Sequence, residues 1–123
     1  YCYIPTLKIV KHIKSLKIPA ICFPKGIGEN YVDFCSAVKP NCINIDYDLD
    51  PKWIKKKLNG TPIQGGLDPR ILLTNKEKIK KSTENYLNIF DNYPYIFNLG
   101  HGVLPETKPE IIEYIIQIVR NKR

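Results

Sequence analysis

A histidine between two glycines is the position in this sequence best suited to bind a ligand. His101 lies between Gly100 and Gly102 and follows the short apolar run 95–97. Glycine gives the backbone conformations that crowd other residues, and it lets a ligand come close to the main chain. An imidazole can donate a hydrogen bond to an anion near neutral pH. We therefore interpret His101 as a functional residue rather than a core residue.

Three other polar residues follow short apolar runs, and they can contribute to the same site. These are Lys25, Asp46 and Asp68. Lys25 can equally be a solvent-exposed loop residue. Asp46 is better explained as a strand-end carboxylate held by backbone amides, and Asp68, before Pro69, as a turn or helix N-cap residue. His101 is therefore the one position for which we favour a functional role.

The remaining polar candidates are interpreted as structural. Asp48 and Asp50 are predicted to cap helices, and His12 lies on the lysine-rich face of a surface helix. The sequence contains no GxGxxG motif, no P-loop and no cluster with metal-ligand spacing. It therefore predicts neither a nucleotide site nor a metal site.

Four strand-then-helix units position these residues. Short apolar runs predict strands at 18–23, 42–47, 61–64 and 95–99. Amphipathic patterns predict helices at 6–16, 29–38, 75–90 and 109–120, and one that begins after Asp50 and closes at Asn59 and Gly60. Repeated βα units with buried strands indicate a parallel sheet covered by helices. Because a (β/α)8 TIM-type barrel needs about 250 residues, the chain is predicted to form about half of one; a free-standing doubly wound sheet is the alternative.

Composition restricts the class of protein further. The 123 residues contain no methionine, so we expect a fragment, a processed product or a trimmed chain. The net charge of +7 comes from scattered lysines without interleaved aromatic residues, which argues against nucleic-acid binding. No apolar stretch approaches the roughly 20 residues that cross a bilayer. The four cysteines show no CxxC pair, so we expect reduced, buried thiols in a cytosolic protein.

Two motifs carry a resemblance to a known family. They are the Gln-Gly-Gly-Leu-Asp-Pro element at 64–69 and the Asn-Leu-Gly-His-Gly element at 98–102, preceded by matching runs at 19–26 and 42–47. In this order they resemble the C-terminal part of the uroporphyrinogen decarboxylases, over essentially the whole chain. One departure is Gly66, because the family usually has asparagine there.

The resemblance implies a fold and a reaction. It implies the C-terminal half, four βα units, of a (β/α)8 barrel in a cytoplasmic homodimer without metal or organic cofactor, acting in haem and porphyrin biosynthesis. The implied reaction is a lyase reaction that removes the carboxyl groups of the four acetate side chains of uroporphyrinogen III and gives coproporphyrinogen III. A pyrrole carbon is protonated, carbon dioxide leaves, and the resulting carbanion equivalent is reprotonated. Neither nucleic acid nor membrane is expected as a partner.

The resemblance assigns one site residue to this chain. The family's substrate-contacting histidine maps onto His101, whereas its central aspartate, its N-terminal arginines and its mid-barrel tyrosine and serine are expected upstream of Tyr1. Residues 1–123 are thus expected to be part of a single barrel domain whose N-terminal half is absent, with no catalytic residue and no activity alone.

Two alternatives remain at this point. One is a non-catalytic half-barrel remnant or interaction module. The other, less favoured because no His-x-Cys zinc-ligand spacing occurs, is a corrinoid-dependent methyltransferase of the same superfamily.

Overall fold

Four parallel strands form the centre of the computed structural model, which describes residues 3–58 and 60–122. Cys2 and Asn59 lie outside the described residues. The elements are α1 (Tyr3–Ser15), β1 (Ile21–Cys22), α2 (Tyr31–Val38), β2 (Cys42–Ile45), α3 (Pro51–Lys57), β3 (Ile63–Gly65), α4 (Lys76–Ile89), β4 (Tyr95–Ile96) and α5 (Pro109–Asn121), with short 3-10 helices at Gly28–Asn30 and Pro69–Leu73.

The strands follow one another across the sheet in the order β1-β2-β3-β4. Each consecutive pair is parallel, with Ile21 opposite Cys42 and Ile63 opposite Tyr95 at the two edges. The four described strands therefore show no reversal of order, which is the feature that defines a doubly wound sheet. Because all four strands run the same way, their carboxyl ends lie at one edge. This confirms the predicted α/β class and the four strand–helix units.

Branched aliphatic side chains build the core between the sheet and its helices. Ile43, Ile45 and Ile63 are fully buried there, together with Tyr31 of α2 and Ile54 of α3. Valine and isoleucine on both strand and helix faces are typical of strands covered by βα crossovers.

A second cluster of buried residues anchors the last helix. It consists of Leu72, Ile79 and Ile115, which join the Pro69–Leu73 helix, α4 and α5. This cluster holds the segment after β3 against the end of the chain.

Three buried cysteines behave as small hydrophobic residues, as predicted. Cys22, Cys35 and Cys42 are free thiols in the interior. Burial raises the pKa of each, most clearly for Cys35, whose pKa rises to about 11 with smaller contributions from the other two thiols. A raised pKa leaves the thiol protonated and unreactive.

The other face of the sheet is only partly covered. Side chains alternate between faces along a strand, so the neighbours of the core isoleucines point away from the helices. Two of them, Asn44 and Gln64, form a hydrogen bond of 2.9 Å across adjacent strands. At the sheet edges, Ile21 is 51% and Ile96 is 47% exposed. This face is therefore polar and covered at its centre, and apolar and exposed at its two edges.

All four strands are shorter than predicted, β1 and β4 most of all. The ladder of β1 begins at Ile21, because the N–H of Ala20 donates to the Asn41 side chain at 3.0 Å rather than to a strand. β4 pairs with β3 at Tyr95 and Ile96 and stops there. Pairing resumes as a single bridge between Leu67 and Leu99. The interruption lies opposite two glycines, Gly65 and Gly66, whose φ values of +86° and +107° leave the strand region.

The predicted apolar stripe on α1 is only partly buried. Val10 is buried, whereas Ile9 and Leu16 are 58% and 56% exposed. Among the described elements α1 packs chiefly against α2. Packing against α2 buries a narrow stripe of α1 that includes Val10, and the rest of the apolar face of α1 is exposed to solvent.

Candidate functional site

The loops after the four strands meet at the carboxyl edge of the sheet. Asp46, at the end of β2, is 3% exposed. Its carboxylate accepts hydrogen bonds from the N–H of Gly26 at 3.0 Å and of Tyr47 at 2.9 Å. It thereby ties the loop after β1 to the loop after β2. This confirms the interpretation of Asp46 as a strand-end carboxylate held by backbone amides.

Asp68 and Arg70 form a paired charge after β3. Asp68 is the N-cap of the Pro69–Leu73 helix and accepts from the N–H of Arg70 at 2.9 Å, so its predicted capping role is confirmed. The Arg70 guanidinium also binds the carboxylate, with Nη2 to Oδ2 at 2.7 Å. These side-chain hydrogen bonds, reinforced by the N–H and the charge of Arg70, lower the pKa of Asp68 although burial opposes them. The guanidinium lies over the Tyr47 ring, 5.0 Å from its centroid.

Gly100, which precedes His101, packs against the two neighbouring loops. Gly100 is buried, and its N–H donates to the carbonyl of Leu67 at 2.8 Å. A Cβ at this position would lie 2.4 Å from the Tyr47 nitrogen, so only glycine fits. The backbone of the loop after β4 therefore contacts both the loop after β2 and the loop after β3. His101 follows this contact directly and is solvent-exposed at the edge, outside the core, and its role as a ligand-binding residue stays a prediction.

A cavity opens beside the first strand exit. It has a volume of about 860 Å³ and lies between α1, the end of β1 and α2. Its lining includes Phe23, Lys25 and Phe34. Lys25 is exposed in the sheet-edge loop, so its placement fits both interpretations that the sequence left open.

The structure also tests the structural roles predicted for Asp48, Asp50 and His12. Asp50 caps α3 by accepting from the N–H of Lys52 at 3.0 Å, whereas Asp48 lies two residues before that cap and is exposed. The cap prediction is thus correct for Asp50 and wrong for Asp48, because a helix has one N-cap position and Asp50, next to Pro51, occupies it. His12 is exposed on α1, as expected for a surface residue.

Two tyrosines near the site have no signal in the sequence patterns. The hydroxyl of Tyr86 donates to the carbonyl of Gly66 at 2.7 Å, and that of Tyr95 donates to the carbonyl of Gly65 at 2.9 Å. Each tyrosine is 20 or more positions from its glycine, so no local motif links them. The sequence pattern indicated only that these are aromatic residues at core-facing positions.

The described residues hold no group of three or more histidine, cysteine, aspartate or glutamate side chains that could bind a metal ion. Within the same residues, no helix combines the length and apolar character needed to span a membrane. The carboxyl edge offers an exposed imidazole at His101, an arginine paired with Asp68 after β3, and a close-packed glycine backbone at Gly100. Such an edge is where parallel α/β folds bind ligands.

Comparison with known proteins identifies the family. The profile of the uroporphyrinogen decarboxylase (URO-D) family matches residues 1–122. This chain belongs to the uroporphyrinogen decarboxylase family. The match includes His101 and the whole carboxyl edge, because it covers every described strand and helix.

Bacterial members of the family are similar along nearly the whole chain. The uroporphyrinogen decarboxylase of Rickettsia bellii is 46% identical over 118 residues, which is 94% of this chain and 35% of the relative. Those of Cereibacter sphaeroides and of the Wolbachia of Drosophila simulans are 35% and 39% identical, over 96% and 98% of this chain. The chain spans about 35% of the length of these uroporphyrinogen decarboxylases.

Proposed function

We propose that this chain is the C-terminal part of a uroporphyrinogen decarboxylase, which converts uroporphyrinogen III to coproporphyrinogen III without metal or organic cofactor. The observation that carries the proposal is the family match over residues 1–122. In each of the four rounds, one acetate side chain loses carbon dioxide and gains a proton, so a methyl group remains on the pyrrole. The work of the protein is to deliver protons and to stabilise charge that develops on the ring.

The chain contributes half of a (β/α)8 barrel in this proposal. Its sequential parallel strands have the order of neighbouring barrel strands, and β1 and β4 end the sheet as unpaired edges. Ile21 and Ile96 are the exposed apolar residues of these edge strands. Further strands of the same polypeptide would pair with both edges and cover this face. The whole enzyme is then a cytoplasmic homodimer, as the family resemblance implies.

His101 is the substrate-binding residue of this part. It is exposed at the carboxyl edge, where ligands of barrel enzymes bind. Its imidazole can donate a hydrogen bond to one of the carboxylates of the porphyrinogen. The groups that drive decarboxylation belong to the part of the polypeptide that precedes this segment.

A segment exchange tests the proposed activity. The 118 aligned residues of the Rickettsia bellii relative are replaced by the corresponding residues of this chain, giving what we call the segment-swapped enzyme. We expect it to form coproporphyrinogen from uroporphyrinogen, measured by chromatography of the oxidised porphyrins, with the unaltered relative as reference. A segment-swapped enzyme that folds with the circular dichroism and oligomeric state of the relative but forms no product would contradict the proposal and leave a non-catalytic half barrel.

A further inference from the structure

Two consecutive glycines form a sharp backbone turn at the end of β3. Gly65 and Gly66 have φ values of +86° and +107°, which side chains other than hydrogen rarely tolerate. Their carbonyl oxygens accept hydrogen bonds from tyrosine hydroxyls, Gly65 from Tyr95 and Gly66 from Tyr86. The turn is therefore held by two side chains that come from β4 and α4.

The missing side chain at position 66 makes this arrangement possible. A Cβ on Gly66 would lie 2.7 Å from Cε1 of Tyr86 and 3.0 Å from Cδ1 of Ile45. The Tyr86 ring thus occupies the space that a side chain at 66 would take. The lack of a side chain at 66 and the Tyr86 contact are therefore two parts of one local arrangement.

The two tyrosines are fixed donors. Phe90 lies between them, with its ring centroid 6.4 Å from that of Tyr86 and 4.2 Å from that of Tyr95, stacked in both cases. Burial raises the pKa of both phenols, that of Tyr86 to about 12 with a further contribution from the carboxylates of Asp68 and Asp50. Both hydroxyls therefore stay protonated at neutral pH.

The fixed turn connects directly to His101. Leu67 follows Gly66, is 2% exposed, and forms an isolated bridge with Leu99, three residues after β4. Its carbonyl accepts the N–H of Gly100 at 2.8 Å, and Gly100 precedes His101. A displacement of the Gly66 carbonyl would move Leu67 and hence the main chain that carries the imidazole.

We propose that Tyr86 and Tyr95 are positioning residues for His101, acting through the carbonyls of Gly66 and Gly65 and the Leu67–Gly100 hydrogen bond. Neither tyrosine needs to contact the porphyrinogen. The expected change in KM rests on the proposed function. The expected change in the position of Gly100 and His101 does not, because it concerns the structure of this chain alone.

The test compares three tyrosine-to-phenylalanine variants of the segment-swapped enzyme. Tyr86→Phe and Tyr95→Phe each remove one hydroxyl from the glycine turn. Tyr93→Phe is the matched control, because its hydroxyl also donates to backbone carbonyls, of Leu58 at 2.6 Å and Thr61 at 2.7 Å, but at the opposite end of β3. All three variants are expected to lower Tm to a comparable extent, since each loses hydrogen bonds to the main chain.

Two readouts separate positioning from stability. In 15N NMR spectra, the Gly100 amide and the His101 imidazole are expected to shift in Tyr86→Phe and Tyr95→Phe, with His12 unchanged as internal reference. KM for uroporphyrinogen is expected to rise about fivefold in Tyr86→Phe while kcat stays within about twofold, as for a loss of binding. Tyr93→Phe is expected to change neither readout.

The outcomes decide between the two proposals. Unshifted Gly100 and His101 signals in both site variants, or equal shifts in Tyr93→Phe, would overturn the positioning role. Shifted signals in a folded but inactive segment-swapped enzyme would support the positioning role and count against the proposed function. Shifted signals with KM unchanged would overturn the part of the proposal that links the turn to substrate binding.

Discussion

Gly100 and Gly102 both flank His101, but packing requires only Gly100. An added Cβ at Gly100 would meet the Tyr47 backbone at 2.4 Å, whereas at Gly102 it would find nothing within 4 Å. Gly100 fixes the main chain that precedes His101, whereas the position of Gly102 is open to solvent. The two positions therefore offer a controlled comparison.

Gly100→Ala is expected to destabilise the segment-swapped enzyme by roughly 1–3 kcal/mol, because the added methyl group forces the loop after β2 away from β4. Gly102→Ala is expected to change the free energy of unfolding by less than about 0.5 kcal/mol, as for an open surface position. Urea unfolding measures both. A stability equal in the two variants would show that the close approach of Gly100 to Tyr47 is not needed for the fold.

The sequence was sufficient to predict features that depend on residues close together in the chain. The caps at Asp50 and Asp68 depend on residues two positions away. The glycines around His101 are its direct neighbours in the sequence. The Tyr86–Gly66 contact could not be predicted, because it joins positions 20 apart and depends on how α4 packs on the sheet. The Asp48 cap failed for a related reason, since two aspartates near one helix start compete for a single position.

At the scale of elements, the Pro69–Leu73 helix depends on one carboxylate for two different interactions. Asp68 caps it through the N–H of Arg70 and pairs with the Arg70 side chain. Asparagine can replace the cap but not the charge. Substitutions at this position can thus separate capping from ion pairing.

The ion pair gives this element a defined pH dependence. The pKa of Asp68 is lowered in the folded state, so its contribution to stability is present above its ordinary value of 3.8 and is lost as pH falls through the lower folded value. We expect Asp68→Asn to lose the ion-pair contribution at neutral pH and therefore to show less loss of stability than the unaltered protein between neutral and acidic pH, measured by urea unfolding. Asp68→Ala is expected to cost about 1 kcal/mol more at neutral pH through loss of the cap. An acid dependence unchanged in Asp68→Asn would contradict the assignment.

Element boundaries were harder to predict than element types. The alternation of strands and helices followed from apolar runs and amphipathic segments. The lengths of β1 and β4 did not, because they depend on the Asn41 side chain that accepts the N–H of Ala20 and on the positive-φ glycines that follow the β3–β4 pairing. The exposure of Ile9 and Leu16 also depends on which neighbours α1 has, which periodicity does not specify.

At the scale of the molecule, the sheet ends in two unpaired edges with one partly uncovered face. Ile21 and Ile96 lie about half exposed on the edge strands, at 51% and 47%. Unpaired strands with apolar side chains favour association with other strands. The whole-molecule account therefore predicts that this sheet requires further strands to pair with its edges.

The 123-residue chain in isolation is expected to self-associate and to show no decarboxylation of uroporphyrinogen. Sedimentation at several concentrations measures the first property, and porphyrin chromatography measures the second. Ile21→Thr with Ile96→Thr is expected to reduce self-association, whereas Ile9→Thr on α1 serves as a control of similar exposure. A monomeric isolated chain, or measurable turnover by it, would contradict the division of roles between the two parts of the barrel.

The most direct test of the account is the effect of His101 on substrate use by the segment-swapped enzyme. His12, the other histidine of this chain, is exposed on α1 and provides the matched control. We predict that His101→Ala lowers kcat/KM for uroporphyrinogen by about 10- to 100-fold, the cost of one hydrogen bond to a charged group, with Tm unchanged. His12→Ala is predicted to leave kcat/KM unchanged. An unaltered kcat/KM in His101→Ala would contradict the claim that this chain contributes a substrate contact.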